Sequence, residues 1–423
     1  MTSESEKGTA LVPAAASSLL QTGPAALVAR GLREVLATAE AEIWLRRGVK
    51  LQERRQYKEA FDCFVRGLDA NPDHPALQSN LGRCYHNGEG VTVDYAQSEY
   101  WTRKSAGQNY ARAQWNLGIL YRHGRGVPQD YVQALKWFWM AAEQGDADAQ
   151  YNLGLMNAFG DGVPRDYAQA AVWYRKAAEQ GNVDARTRLG IMYCNGQGVP
   201  QDYAQAALWF RRAAEQGKAD AQFLVGIMYA EGQGVPQDYA EAVVWYRKAA
   251  EQGSADAQFN LGGCYNWGLG IPQDCAQAVR WYRKAAEQGN VDAAAMLGCM
   301  YHNGEGVPHD FAQAALWFRR AAEKGKAKAQ LILGNMYAEG QGVPQDYAEA
   351  AIWCRKAAEQ GDADAQFNLG VMYHCGRGIP RDPTQAVFWF RKAAEQGDAK
   401  AKRALEGIDE KAQAGADLGQ QRP

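Results

Sequence analysis

The chain of 423 residues predicts an all-α fold and, within that class, an α-solenoid of stacked helix pairs. Three observations carry the prediction. Glycines recur every 36 residues at Gly82, Gly118, Gly154, Gly190, Gly226, Gly262, Gly298, Gly334 and Gly370, and nineteen residues after each stands a tryptophan, from Trp101 and Trp137 through Trp245 to Trp389. Each period holds two segments whose apolar residues fall at helical spacing. Between these segments lies a G-x-G-V-P-x-D stretch, seen as GQGVPQDY at 196–203, 232–239 and 340–347. An uninterrupted period of this length marks an array in which each unit buries its apolar stripe on its neighbours.

Taken in order, residues 1–23 are expected to be a disordered tail and 24–40 a helix leading into the array. In each period the first helix, helix A, is typified by ADAQYNLGLMNAFG at 147–160, where Ala149, Leu153 and Met156 share one face. The second, helix B, is typified by DYAQAAVWYRKAAEQG at 166–181, with Tyr167, Ala170, Ala171, Tyr174 and Ala178 as its stripe and Trp173 beside it. Alanine-rich stripes let two such helices approach closely, and a tryptophan at fixed phase is read as a wedge filling the same gap in every unit. Residues 398–411 supply a more polar helix that caps the open end, and 412–423 read as a second disordered tail.

The glycine stretch could be taken for a phosphate loop, but its context is wrong. It follows a helix, whereas a phosphate-binding glycine loop follows a strand and opens a helix. As a hinge every residue has a use. Gly196 can close helix A in the left-handed conformation, Pro200 prevents continuation, and Asp202 can accept hydrogen bonds from the first N–H groups of helix B. Gln205 stands three residues on, so D-x-x-Q resembles a capping box. In the last unit Pro383 occupies the first position of helix B, where a missing N–H does no harm.

Composition narrows the function. A formal net charge of −2 gives no electrostatic footprint for nucleic acid. No apolar run is long enough for a membrane span, and MTSESEKGTA lacks the basic start and apolar core of a signal peptide, so a cytoplasmic location is expected. The eight cysteines fall at unrelated positions with no C-x-x-C, which suits semi-buried reduced thiols better than a disulfide framework. Motifs for nucleotide binding, zinc hydrolysis and serine catalysis are missing; Ser254 lies in a turn between units, and the six histidines are scattered. HNGEG at 86–90 and 302–306 gathers His, Asn and Glu, but the intervening units replace the histidine. The expectation is a non-enzymatic chain without cofactor or metal.

The motifs A-x-A-Q-x-x-L-G-x-M-Y, G-x-G-V-P-x-D-Y and A-x-x-W-x-R-K-A-A-E-Q-G resemble the Sel1-like repeat, a relative of the tetratricopeptide repeat, in nine copies over 75–397. Upstream, residues 41–74 resemble one tetratricopeptide repeat, with Trp44, Gly48, Ala60, Phe64 and Pro72 at its signature spacings and Leu51 and Gly67 departing from it. The resemblance implies a right-handed superhelix and a bacterial scaffold or adaptor acting in signalling, envelope or stress pathways, expected to be monomeric. Some cysteine-rich relatives bind or hydrolyse β-lactams, which is the alternative reading; they carry regular cysteine pairs that this chain lacks. A sensing arm whose effector is a separate chain is a third possibility.

In such arrays helix A lines the concave, partner-binding face. Comparing the nine units, the variable positions on that face include Asn80, Asn116, Asn152, Arg188, Leu224, Asn260, Met296, Ile332 and Asn368, two residues before each lattice glycine. Arg83 and Ile227 follow their glycines directly, and Arg122 lies four residues after its own. The asparagine phase matches the position that holds a peptide backbone or carboxylate in peptide-binding tetratricopeptide domains. These residues predict a groove polar at its N-terminal end and apolar around Leu224, Ile227, Met296 and Ile332, suited to an extended peptide or amphipathic helix. Packing between helices is the competing role for the same side chains.

Overall fold

A computed structural model of the chain describes residues 24–408; the expected tails at 1–23 and 412–423 lie outside this range. Among the described residues there is no strand. They fall into two compact units divided between Gln201 and Asp202. The first unit contains α1 (Pro24–Glu53), α2 (Tyr57–Ala70), α3 (Pro75–Asn87), α4 (Tyr95–Ala106), α5 (Ala111–His123), α6 (Tyr131–Glu143), α7 (Ala147–Phe159), α8 (Tyr167–Glu179) and α9 (Val183–Asn195). The second contains α10 (Tyr203–Ala214), α11 (Ala219–Glu231), α12 (Tyr239–Glu251), α13 (Ala255–Trp267), α14 (Cys275–Glu287), α15 (Val291–Asn303), α16 (Phe311–Glu323), α17 (Ala327–Glu339), α18 (Tyr347–Glu359), α19 (Ala363–Cys375) and α20 (Pro383–Glu395). A further helix, α21, covers 399–408. The expected lead-in helix and the first helix of segment 41–74 form one continuous rod, α1. Nothing between Leu36 and Ile43 is a glycine, proline or capping residue in the right place to break it.

The hinge works as its residues suggest. Helices A end on a glycine in the left-handed region, with φ of 67° at Gly196 and 69° at Gly232, and helices B begin on an aspartate whose carboxylate accepts from the second or third amide, as Asp238 does from Ala240 and Glu241. The reciprocal arm of a capping box is absent. The Asp238 N–H donates instead to the Tyr229 carbonyl at the end of helix A, and the same bond recurs at Asp274 and Asp346. The glutamine before the aspartate closes another exposed carbonyl: Gln237 Nε2 donates to Ala230 O at 2.8 Å and Gln345 to Ala338 O at 2.8 Å.

Both ends are tied in most pairs, which makes them antiparallel; the repeats at 183–218 and 291–326 carry Arg186 and Ala294 in place of the first glutamine. The start of helix B bonds the end of helix A through the aspartate N–H. The start of helix A bonds the end of its helix B through glutamines thirty residues apart, as in Gln180 Nε2 to Gln150 Oε1 at 2.8 Å. Between these ties the lattice glycine presses its backbone on a ring. A Cβ at Gly118 would lie 2.6 Å from the Phe138 ring, and one at Gly262 would lie 2.8 Å from the Tyr282 ring. That ring residue follows the lattice tryptophan and is the deeper of the two. Phe138, Tyr174, Phe210, Tyr246, Tyr282, Phe318 and Phe390 are all buried, whereas Trp101, Trp137, Trp173 and Trp281 are only half-buried and Trp209, Trp245, Trp317 and Trp389, though buried, lie less deep than the rings that follow them. The tryptophan is therefore a lid over the seam. Its outer face is covered by a cation one turn on, with Lys248 Nζ 4.0 Å from the Trp245 ring centroid and Arg320 Cζ 4.4 Å from that of Trp317.

Candidate partner-binding surface

Apart from Asn152, the variable helix-A positions keep part of their surface exposed because the two stripes beside them are already committed to the core. In the first unit the polar candidates are knit together. Asn80 Nδ2 donates to its own helix at Ala76 O (2.8 Å), and its Oδ1 accepts from Arg83 Nη2 at 3.1 Å. Arg83 also bonds the Gln52 side-chain oxygen and pairs with Glu89 at 3.7 Å. Arg122 donates to Asn152 Oδ1 on the next helix A at 3.0 Å and pairs with Asp161 at 3.5 Å, while Asn152 itself is buried and donates to Asp148 O. Asn116 reaches Ser79 Oγ at 3.5 Å. Arg188, by contrast, is exposed. Asn116 and Asn152 thus stitch consecutive A helices, Asn80 is bonded within its own helix, and the two arginines are held in place, each with a carboxylate beside it.

In the second unit one asparagine joins consecutive A helices and another reaches the preceding helix B. Asn368 donates to Asn335 Oδ1 at 3.0 Å, and Asn260 hydrogen-bonds the Tyr246 hydroxyl. Leu224 is half-buried, and Ile227, Met296 and Ile332 each give part of their surface to the core clusters beneath them. The structure therefore brings the candidates together within each unit but lends several of them a packing role as well.

Hollows open between consecutive A helices. One of about 180 Å³ is lined by Arg83, His86, Asn87, Trp115 and Asn116. Another of about 470 Å³ is lined by Cys299, His302, Asn303, Ile332, Asn335 and Glu339. A third of about 190 Å³ lies beside Asn260, Gly263 and Trp267. The Trp267 ring is 58% exposed and lies across Gly263, the one unit in which that position lacks a side chain. Trp139, 53% exposed, escaped the sequence reading. Its signal was there: other units put an arginine at this phase and a tyrosine eighteen residues on, bonded as in Arg175 to Tyr193 at 2.8 Å, whereas here the pair is Trp139 and Asn157.

Ionisable groups are tuned by packing. Burial raises the Cys84 and Cys354 thiols to about 12 and Cys264 to about 11, so these are inert neutral groups. All eight cysteines are free. Burial, and then the Arg125 charge, lowers His86, whose Nε2 lies 2.9 Å from Arg125 Nη1 and so accepts as the neutral ring. Among the described residues no group of three or more His, Cys, Asp or Glu could hold a metal, and no helix is long and apolar enough to cross a membrane. Ser254, placed between units by its sequence position, is the N-cap of α13.

The Sel1 repeat profile matches nine consecutive segments, at 75–110, 111–146, 147–182, 183–218, 219–254, 255–290, 291–326, 327–362 and 363–398. Among solved structures the chain is similar to a protective antigen of uropathogenic Escherichia coli strains displaying an SLR fold, with 37% identity over 90% of each chain and a TM-score of 0.60. It is similar too to a Sel1 repeat protein from Oxalobacter formigenes, with 38% identity over 73% of this chain and 89% of that one and a TM-score of 0.60. Comparison with curated proteins gives no match. Sel1 repeat proteins are generally protein-interaction scaffolds, and their solenoid is typically non-catalytic. With nine contiguous repeats of helix pairs built on one plan, this α-solenoid chain belongs to the Sel1 repeat family.

Proposed function

We propose that the chain is a non-enzymatic scaffold or adaptor that holds a partner peptide or protein along its helix-A surface, within bacterial signalling, envelope or stress pathways and in the cytoplasm. One observation carries the reading. Residues that repeat from unit to unit are those with a structural task, the caps, the ring-bearing seam and the buried glutamines. Those that vary, including Asn80, Arg83, Asn116, Arg188, Leu224, Ile227, Met296 and Ile332, sit half-exposed or exposed along the A helices. Selection for folding does not require that variation, whereas a surface adapted to one extended partner does. The fixed guanidinium of Arg83 with Asn80 and Asn116 suits an acidic or carboxylate-bearing end of that partner, and Leu224 with Ile227 suits an apolar stretch.

The test is affinity purification with quantitative mass spectrometry from native cells, comparing wild type with the Asn80→Ala, Asn116→Ala, Asn152→Ala triple variant. Recovery of specific partners is expected to fall at least about tenfold, the effect of losing roughly 1.4 kcal/mol of contacts. Unchanged recovery by a variant that keeps its thermal midpoint would remove this surface from consideration.

A further inference from the structure

Helix α1 is 30 residues long, whereas α2 through α20 have 12 to 14. Its C-terminal part is held by the array: Ala41 and Gly48 are buried, and Gly48 faces the Phe64 ring. On the opposite side of the same helix Leu32, Leu36, Ala39 and Ile43 follow a four-three-four spacing, which makes one straight seam. Leu32, Leu36 and Ile43 are 62%, 62% and 66% exposed, and Val35 beside them is 67% exposed. Arg46 and Lys50 continue the same line and end the seam in charge. None of these apolar side chains belongs to a core cluster among the described residues. A lone helical extension of this length is marginal in water, and a row of exposed leucine and isoleucine at heptad spacing is what a helical partner covers.

We propose that a second copy of this chain covers the seam, with the two α1 helices packed antiparallel about a twofold axis. The charges choose both the occupant and the direction. Arg33 and Glu40 flank the seam on one side, two turns apart. Antiparallel pairing sets Arg33 of one copy against Glu40 of the other, twice over, whereas parallel pairing turns this flank toward Val35 and Glu42 of the other copy, so that the two opposite charges do not meet. Ala39 is small enough to let Leu36 of the other copy seat against it. The twofold arrangement closes on itself, so it makes dimers and no filaments. Four seam residues per copy make a small interface, so the dimer is expected to dissociate on the order of micromolar, in place of the monomer expected from the sequence.

Sedimentation equilibrium of the full chain tests this from about 1 to about 100 µM, the range that brackets such an affinity. The mass is expected to rise from 46.5 kDa toward twice that value. L36E, at an exposed position and checked for unchanged circular dichroism, should remain monomeric throughout. R33E and E40R should each weaken the dimer about tenfold, and the double swap R33E/E40R should restore it. A wild-type chain monomeric across the range overturns the proposal, as does a dimer indifferent to L36E. Failure of the double swap to restore association overturns the antiparallel pairing on which it rests.

Discussion

At the scale of single residues, glycine in this chain has opposite meanings depending on what faces it. A helical glycine normally weakens its helix by roughly 0.5–1 kcal/mol relative to alanine. Gly407 obeys this rule, since nothing lies within 4 Å of where its Cβ would be, and Gly407→Ala should raise the stability of the last helix by about that amount. Gly154 reverses it. A Cβ there would lie 2.5 Å from the Tyr174 ring, and Gly154→Ala is expected to destabilise by about 1–3 kcal/mol through overpacking. Urea midpoints of the two variants check the contrast; equal shifts of the same sign would show that ring contact does not set the glycine. His86 offers a second test at this scale. Its folded value lies below the ordinary 6.5, so the stability it contributes is complete above about pH 6.5 and is lost as pH falls through its lower folded value. Thermal midpoints should fall more between pH 7.5 and 5.5 in wild type than in His86→Gln; parallel curves would exclude His86 as the cause.

At the scale of the helix pair, a buried amide relay joins three helices. Gln258 donates to Ala250 O on the preceding helix B at 3.0 Å and accepts from Gln288 at the end of its own at 2.8 Å. Gln258→Ala removes both side-chain bonds, while Ala250 O keeps the Gly253 N–H at 3.1 Å and Gln288 keeps Lys284 O at 3.4 Å, and is expected to cost about 1–3 kcal/mol, the net worth of two hydrogen bonds. One unit shows how the loss is accommodated: Ala294 replaces the buried glutamine, and its partner thirty residues on is Lys324. The double variant Gln258→Ala, Gln288→Lys should therefore recover part of the stability lost by the single one, a coupling visible in a double-mutant cycle. Strict additivity would refute the relay. The first glycine of each hinge was legible in advance because capping is local. The second glycine of each hinge was not. Gly162 has φ of 73° and a Cβ there would meet the Tyr131 backbone of the preceding helix B, a contact across 31 residues.

At the scale of the whole molecule, an array of like units stores its stability in nearest-neighbour seams. Trp245→Ala removes a buried ring and its contact with Lys248 and should cost about 3–5 kcal/mol. Because the seams are local, the resulting rise in amide exchange should concentrate in α11 to α14 and be least in α19 and α20. Exchange raised evenly over all of these helices would show that cooperativity extends over the array. An unfolding midpoint equal to wild type would refute the buried role of Trp245.

The sequence by itself determined the period, the helix pair in each repeat, the caps of both helices and the family, because these depend on backbone conformation and periodicity, which neighbouring residues encode. It left open which of Trp173 and Tyr174 lies deeper, since both recur at one phase and only the glycine of the facing helix distinguishes them. It left open too that Arg122 is held by Asn152 and Asp161 while Arg188 is exposed. Those outcomes belong to tertiary structure: burial and pairing depend on residues brought together from different helices, Gly154 with Tyr174 and Arg122 with Asn152, and a one-dimensional pattern carries their spacing without their contacts.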